Sequence, residues 1–308
     1  MKHRGLSPNR RALRRLWRRP STRVALGFLA LLVVTAAGVP FLPLPSPSET
    51  HPQWALTGPT LGGMSASGDG SDAVPAALCG RDALGRDLLA RILWGARISL
   101  LTAVAASLVS LLIGVSWGAI AACAGGWIDE LMMRVVDLLF SIPFIFLVIF
   151  LGTMARGWGF TGEVANLVVF LITLGLVYWL TMARVVHGQV VTWRDRPAIE
   201  AARALGATRT RILVRHLLPQ LTPVIIVTLT LTIPRVLLVE AFLSFLGLGV
   251  QAPTVSWGIL ARDAVEVLTP IHTPWWLVLF PSLAIVLTLS ALQHLGDAVG
   301  DAWSPRGE

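Results

Sequence analysis

The sequence predicts an all-α integral membrane protein with six transmembrane helices, and two observations support this. Of its 308 residues, 55% are hydrophobic and 14% are charged, a balance more apolar than that of ordinary soluble domains. An α-helix needs about 20 residues to cross a bilayer, and six apolar segments come near or exceed that length. These predicted spans are 24–44, 98–123, 131–151, 164–183, 221–248 and 275–295.

Basic residues predict the orientation of the spans, because positively charged flanks stay in the cytoplasm. Nine basic residues precede the first span, and seven arginines lie between the fourth and fifth spans. Six spans place both groups in the cytoplasm, together with Arg306 and both termini. The first group is Lys2, Arg4, Arg10, Arg11, Arg14, Arg15, Arg18, Arg19 and Arg23. The second is Arg184, Arg194, Arg196, Arg203, Arg209, Arg211 and Arg215.

The elements follow in order from these assignments. Residues 1–23 are a basic cytoplasmic tail, 24–45 the first transmembrane helix, and 46–96 an outer loop with a helix lying at the membrane interface. Residues 97–295 contain five further spans, and 296–308 are a second cytoplasmic tail. The net charge of +8 indicates topology and some attraction to anionic lipid, because no nucleic-acid-binding motif accompanies it.

The cytoplasmic loop at 185–219 contains the most informative local pattern. Pro197 suits the first turn of a helix, residues 198–205 are mostly good helix formers, and Gly206 ends the helix. A second helical stretch is predicted from about Thr208 to Pro219, where the next apolar segment begins. We therefore expect two short helices that meet at a glycine outside the membrane. The alternative is an ordinary amphipathic loop of a polytopic protein.

The same loop resembles the hallmark of permease subunits of bacterial ABC importers. That hallmark is Glu-Ala-Ala, three residues, glycine, nine residues, then an apolar pair and proline. Glu200, Ala201, Ala202, Gly206 and Pro219 are all in register with it. The resemblance implies a type I ABC importer permease architecture, in which 185–219 is a coupling loop. The residues implied to dock on an ATP-binding subunit are Glu200, Ala201, Ala202, Leu205, Gly206 and Pro219.

Three further segments are similar to the C-type permeases of oligopeptide, dipeptide and nickel importers. They are GRDALGRDLLARILWGARISL at 80–100, EAFLSFLGLGVQAPTVSWG at 240–258 and LGDAVGDAWSPR at 295–306. Histidine at 216 also resembles the peptide-transporter branch. In the first segment, Asp82 and Arg86 are four residues apart, as are Asp87 and Arg91. We expect each pair to lie on one face of an interfacial helix, with direct substrate contact as the alternative.

The resemblance also implies the partners: a second, related permease chain, two ATP-binding subunits and an extracytoplasmic substrate-binding protein, in a bacterial inner membrane. Short peptides are the expected cargo, and nickel complexes or other small solutes are the alternative. Lys2 is the only lysine, so the sequence contains no P-loop of the GK[ST] type. We expect neither an enzyme nor a bound cofactor or metal. Cys79 and Cys123 are predicted on opposite sides of the membrane, so no disulfide is expected.

Glu240 is the candidate polar residue of the translocation path. An ionisable group inside an apolar span is costly and usually faces protein or water. The alternative is a buried partner for a donor on another helix. Arg134 and Asp137, three apart, are expected to form a local pair. Two other classes of function remain open: a proton-coupled secondary transporter in which Glu240 carries the proton, and a membrane scaffold that recruits partners through the arginine loop.

Overall fold

The computed structural model describes residues 16–17, 19–61, 76–159, 162–251, 253–269 and 273–303, apart from the Arg156 side chain. Most of the predicted N-terminal tail, residues 62–75 of the outer loop and Arg306 lie outside these ranges. The regular elements within them are helices, apart from two isolated antiparallel bridges, Thr60–Ala77 and Arg81–Asp87.

The α-helices are numbered in chain order over the described residues. They are α1 (Pro20–Gly38), α2 (Leu88–Ala124), α3 (Gly126–Ser141), α4 (Phe144–Gly157), α5 (Glu163–Arg194), α6 (Pro197–Ala204), α7 (Arg209–Ile212), α8 (Leu218–Phe245), α9 (Trp257–Glu266) and α10 (Trp275–Trp303). A π-helical turn, Leu213–Leu217, joins α7 and α8, so that Arg209–Phe245 is continuously helical. Short 3-10 turns lie at Val39–Phe41 and Pro52–Trp54.

Five helices of the described chain are long and apolar enough to cross a membrane, and the predicted third span differs from them. Instead of one helix over 131–151, α3 and α4 form a pair bent by 98°. Pro143 disfavours helical backbone at the preceding residue, and Ile142 is accordingly extended, with ψ 128°. Counted as one broken span, the pair brings the total to six.

The boundaries around the first two spans also differ from the expected ones. The first helix starts at Pro20 and ends at Gly38, so part of the predicted tail is helical. The expectation of a separate interfacial helix before residue 97 was wrong. Residues 80–87 form a folded loop, and 88–96 are the first turns of the 37-residue helix α2. The long helix begins at Leu88 because Asp87 caps it: the Asp87 side chain accepts a hydrogen bond from the Ala90 N–H at 2.8 Å.

Close packing of α2 against α5 forms the centre of the bundle. Small residues allow two backbones to approach within a membrane protein, and three glycines do so here. A Cβ on Gly118 would lie 2.3 Å from the Ala183 carbonyl oxygen, and one on Gly114 would lie 2.8 Å from that of Trp179. A Cβ on Gly175 of α5 would meet Val109 at 2.5 Å. The two helices are therefore fixed against each other along most of their shared length.

Much of the surface outside this centre is apolar and exposed. Within each of the five spans, only 17–39% of the most apolar window is buried inside the chain. Such a surface is unsuited to water and is suited to lipid or to other membrane-embedded subunits.

Candidate functional site

One end of the bundle, termed the basic end, carries the arginine-rich loop. The two described ends of the chain meet there as well: Arg19 pairs with Asp301 of α10 at 2.7 Å. Leu16 packs beside them on the last turns of α10. The loop itself begins with a fixed turn, in which the Arg196 guanidinium stacks 3.6 Å above the ring of Trp193. Pro197 then starts α6 with a preset helical φ.

Gly206 ends α6 in the way that the sequence predicts. Its φ is +84°, a left-handed conformation that glycine adopts without steric cost. The Ala207 N–H bonds back to the Ala202 carbonyl at 3.1 Å, and the Gly206 N–H bonds to the Arg203 carbonyl at 2.9 Å. These two bonds form a Schellman motif, which satisfies the last carbonyls of the helix. Nothing lies within 4 Å of where a Cβ would be, so the need for glycine here is conformational only.

A single buried residue anchors α6 to the bundle. Ile199 is 2% exposed and packs into an apolar cluster with residues of α2, α5, α7 and α8. The rest of the predicted docking set lies at the surface: Glu200, Ala201, Leu205, Gly206 and Pro219 are exposed, and Ala202 is half-buried. Leu205 is 89% exposed. The helix and its C-cap therefore present small side chains, one carboxylate and one exposed leucine at the surface.

Arginines tie this loop to the end of α2. Arg194 donates to the Ala122 carbonyl at 2.9 Å, and Arg209 donates to the Ala124 carbonyl at 3.1 Å. The last carbonyls of a helix lack internal partners and carry partial negative charge, so guanidinium groups stabilise them. Arg203 adds a 3.3 Å bond to the Arg194 carbonyl. The three guanidiniums border a cavity of about 490 Å³ between the loop and α2.

The second half of the loop is helical from Arg209, with Thr208 as its N-cap. This confirms the predicted helical stretch from about Thr208. Pro219 has no N–H to donate to the carbonyl four residues earlier, so the α-helical ladder cannot run through it unbroken. The chain forms a π-turn immediately before it, in which the Leu218 N–H bonds to the Leu213 carbonyl. Pro219 thus lies exposed in the first turn of α8.

At the opposite end, Asp82 is the centre of a charge cluster. Its carboxylate accepts bonds from the backbone N–H groups of Leu84 and Arg86, both at 2.9 Å. It also accepts from Arg86 Nε at 2.6 Å and from Arg91 Nη1 at 2.5 Å. Arg91 also forms an ion pair with Asp263 of α9, in which Nη2 and Oδ2 are 3.0 Å apart.

This cluster corrects one predicted pairing. Asp82 and Arg86 do pair, but in a loop and not on a helix. The expected Asp87–Arg91 pair does not form, because Asp87 caps α2 and Arg91 pairs with Asp82 and Asp263. Gly85 makes the loop possible: its φ is +72°, and a Cβ there would lie 1.9 Å from the His51 carbonyl oxygen. The residues of the 80–100 motif therefore hold the loop, α2 and α9 together.

Residues 240–258 also contribute to the packing at the end of the bundle opposite the arginine loop. Trp257 is fully buried and donates its ring N–H to the Ile92 carbonyl of α2 at 2.9 Å. Gly258 lies so close to α8 that a Cβ would be 2.2 Å from the Ala241 carbonyl oxygen, and one on Gly249 would be 2.3 Å from Ser244 Oγ. These glycines let α9 and the preceding turn fold back onto α8.

Glu240 lies inside this packing. It is 0% exposed, and Ser244 donates to its Oε1 at 2.9 Å. Ser99 of α2 and Ser256 lie beside the same carboxyl. Its other oxygen, Oε2, has no hydrogen-bond partner among the described residues. The structure places the side chain away from any surface of the subunit, which favours the alternative of a buried polar partner over a residue of the path wall.

Other charged pairs differ from the sequence prediction. Arg134 pairs with Glu130 at 3.7 Å, whereas Asp137 pairs with Arg184 of α5 at 2.8 Å. The expected Arg134–Asp137 pair was wrong, because Asp137 has a partner on a neighbouring helix. Sequence reasoning also missed the contact between His187 and Asp129, 2.6 Å apart, which ties α5 to α3. The two residues are 58 positions apart, and no local pattern indicates the contact.

Possible metal ligands are not grouped in the described part of the chain, where no three His, Cys, Asp or Glu side chains are placed to hold an ion. Both cysteines are free thiols. The candidate site at the basic end is an exposed surface built from one short helix, a glycine turn and arginine ties.

Comparison with known proteins agrees with this description. The family described as binding-protein-dependent transport system inner membrane component matches residues 114–306. The dipeptide transport system permease protein DppC of Bacillus subtilis is 41% identical over 228 residues, which are 74% of this chain and 68% of that protein. The oligopeptide transport system permease protein OppC of Haemophilus influenzae is 35% identical over 96% of this chain and 88% of that protein.

A solved structure shares the fold. Inward-facing conformations of the MetNI methionine ABC transporter include a chain with a TM-score of 0.58 and 21% sequence identity. The match covers 70% of the present chain and 98% of the other. At that identity the likeness concerns the helical architecture alone.

Proposed function

The chain belongs to the family of inner membrane components of binding-protein-dependent transport systems, and on that premise we propose that it is the permease subunit of an ATP-driven peptide importer. The observation that carries this proposal is the loop at the basic end, where α6 is anchored by one buried residue and exposes the rest of its surface. Relatives named as dipeptide and oligopeptide permeases support short peptides as the cargo.

The docking surface for the ATP-binding subunit is α6 with its glycine turn. Ala201 and Ala202 allow another protein to approach the helix backbone closely. Leu205 offers a protruding apolar side chain that can fill a pocket, and apolar anchors of this kind contribute much of the energy of an interface. Glu200 adds a charge in the first turn of α6. Gly206 and Pro219 fix the direction of the chain on either side of this surface.

Two ATP-binding subunits and a second, related permease chain complete the complex in this proposal, with a binding protein on the opposite face. Closure of the ATP-binding subunits displaces α6. Because Ile199 is embedded among residues of α2, α5, α7 and α8, the displacement is passed to the whole bundle. The paired permeases then switch between inward-facing and outward-facing arrangements, and peptide released by the binding protein enters the cavity between them.

The orientation follows from the same proposal. The basic end faces the cytoplasm, as expected from its arginines, and both termini lie on that side. The Arg19–Asp301 pair supports this, because it brings the two described ends of the chain to one end of the bundle. The membrane is the bacterial inner membrane.

Two exposed leucines allow a matched test of the docking surface. Leu205 at the basic end and Leu61 at the opposite end are both 89% exposed, so neither stabilises the subunit by burial. Each is changed to aspartate, and the importer is purified in mild detergent through a tag on this chain. We expect L205D to lose most of the P-loop ATPase that co-purifies with wild type, and L61D to retain it.

The outcome separates the proposal from its rivals. Recovery of P-loop ATPases and a second permease with wild type, but not of the ATPases with L205D, supports the docking role. Recovery of the wild-type chain without any ATPase would contradict the importer function and favour a transporter with another energy source. Equal ATPase recovery with L205D and wild type would be consistent with an ATP-driven complex. It would refute α6 as the docking surface of that complex.

A further inference from the structure

An arginine lies at mid-depth in the bundle without an acidic partner among the described residues. Arg235 is on α8, and its carbonyl accepts a hydrogen bond from the Tyr178 hydroxyl of α5 at 3.3 Å. Tyr178 is near the middle of the 32-residue helix α5, more than about 20 Å from either end at 1.5 Å per residue. The hydrogen bond places Arg235 at a similar depth, within the apolar part of both helices.

The Arg235 side chain points out of the subunit. It is exposed, and so are Leu238 and Phe242, at 53% and 47%, which follow it at helical spacing on the same face of α8. Two other arginines of the described spans do have acidic partners: Arg184 pairs with Asp137, and Arg91 pairs with Asp82 and Asp263. No carboxylate of the described chain lies within ion-pair distance of Arg235.

The free-energy cost of placing a charged group in lipid limits what the Arg235 side chain can face. A guanidinium at the bilayer centre is unfavourable against lipid, so intramembrane arginines face a water-filled cavity, another protein chain or a ligand. Arg97 differs because it lies closer to the end of the bundle opposite the arginine loop: it precedes Ser99, which lies beside Glu240, and it stacks on Trp94 at 5.1 Å and can reach the interface. Arg235 is too deep for that. Its position fits a wall of the polar passage between two permease chains.

We propose that Arg235 lines the translocation path and binds the terminal carboxylate of a peptide in transit, an inference that rests on the proposed function. The planar guanidinium is positively charged and presents parallel N–H donors that match a carboxylate. A free peptide carries one such carboxylate at its C-terminus. The path thereby offers its cargo one compensating charge at the depth where a bare carboxylate is least favourable.

The test uses the complete importer, with its binding protein and ATP-binding subunits, reconstituted in liposomes. Uptake is measured for one tripeptide with a free C-terminal carboxylate and for the same tripeptide with a C-terminal amide. Wild type is compared with R235Q, R235K and the control R97Q, which removes an arginine closer to the end of a spanning helix. Because the binding protein is the same in each sample, its own preference cancels when each variant's acid-to-amide uptake ratio is divided by that of wild type.

We expect R235Q to lower the acid-to-amide ratio about 10-fold, as for loss of one charged hydrogen-bonding partner. R235K should fall between R235Q and wild type, and R97Q should match wild type. Equal losses of acid and amide uptake in R235Q would overturn the proposal. So would loss of the second permease from purified R235Q complexes, since Arg235 would then be an interface residue. Absence of any peptide uptake by the wild-type complex would overturn the proposed function, and this inference with it.

Discussion

Asp82 is the residue whose replacement should most damage the end of the bundle opposite the arginine loop. Its side chain is 5% exposed and neutralises Arg91, whose side chain is 3% exposed. In D82N the amide keeps the shape of the side chain and can still accept from the backbone N–H groups. It cannot supply the negative charge, and Arg91 is left to Asp263 alone at 3.0 Å.

The expected size of this effect follows from burial. Removing one partner of a buried ion pair costs about 3–5 kcal/mol, because the other charge stays buried without compensation. Asp263 retains part of the compensation here, so we expect a loss of about 3 kcal/mol for D82N. The matched control is D137N, which also removes an arginine partner at 2.8 Å. The Asp137 and Arg184 side chains are 59% and 43% exposed, and exposed pairs contribute about 1 kcal/mol or less.

Thermal unfolding in detergent checks the difference. The fraction of folded chain after heating is followed by size-exclusion chromatography, with all variants at equal protein and detergent concentrations. A loss of about 3 kcal/mol lowers the midpoint temperature by roughly 5–10 °C, whereas D137N should lower it by about 3 °C or less. Equal shifts for the two variants would refute the assignment of Asp82 as the buried centre of the cluster.

Three further tests address other parts of the structure. G206V should leave membrane insertion and folding intact but reduce ATP-driven uptake. G206N should retain more uptake than G206V, because asparagine tolerates a positive φ better than valine does. Equal uptake by the two variants would contradict a conformational role of Gly206. G85A should destabilise the subunit more than G206A does, because its Cβ would lie 1.9 Å from a carbonyl oxygen, as thermal unfolding would reveal. Burial, with the Asp87 carboxylate nearby, raises the pKa of the Cys79 thiol to about 11. In a C123S background, its alkylation at pH 8 should be roughly 100-fold slower than that of an ordinary exposed thiol and should rise until about pH 11; a plateau below pH 9 would contradict this.

The loop at 197–219 could be predicted from the sequence because its signals are local. Pro197 starts a helix, Gly206 ends it and Thr208 caps the next one, and each acts on backbone within a few residues. The bend in the third span had a local signal too. Pro143 lies inside that apolar segment and disfavours helical backbone at Ile142, but hydropathy, which defines the span, does not contain this signal.

The partners of charged residues could not be predicted in the same way. Arg91 and Asp263 are 172 positions apart, and the spacing of Asp87 and Arg91 suggested a pairing that the N-cap role of Asp87 prevents. Glu240 shows the same limit. A carboxylate in an apolar helix can face a path or the protein interior, and only the tertiary packing of Ser99, Ser244 and Ser256 around it distinguishes the two.

The arrangement of α2 indicates how a push on α6 would reach the far side of the membrane. At the basic end, the last carbonyls of α2 are held by Arg194 and Arg209 of the loop. At the other end, Arg91 and the Ile92 carbonyl of the same helix bind α9 through Asp263 and Trp257. Between these ties, glycine contacts fix α2 to α5 at backbone distance, which leaves little freedom for sliding. If α6 is the docking helix, its displacement therefore moves α2, α5 and α9 as one unit, together with α3, which is held to α5 through Asp129 and Asp137.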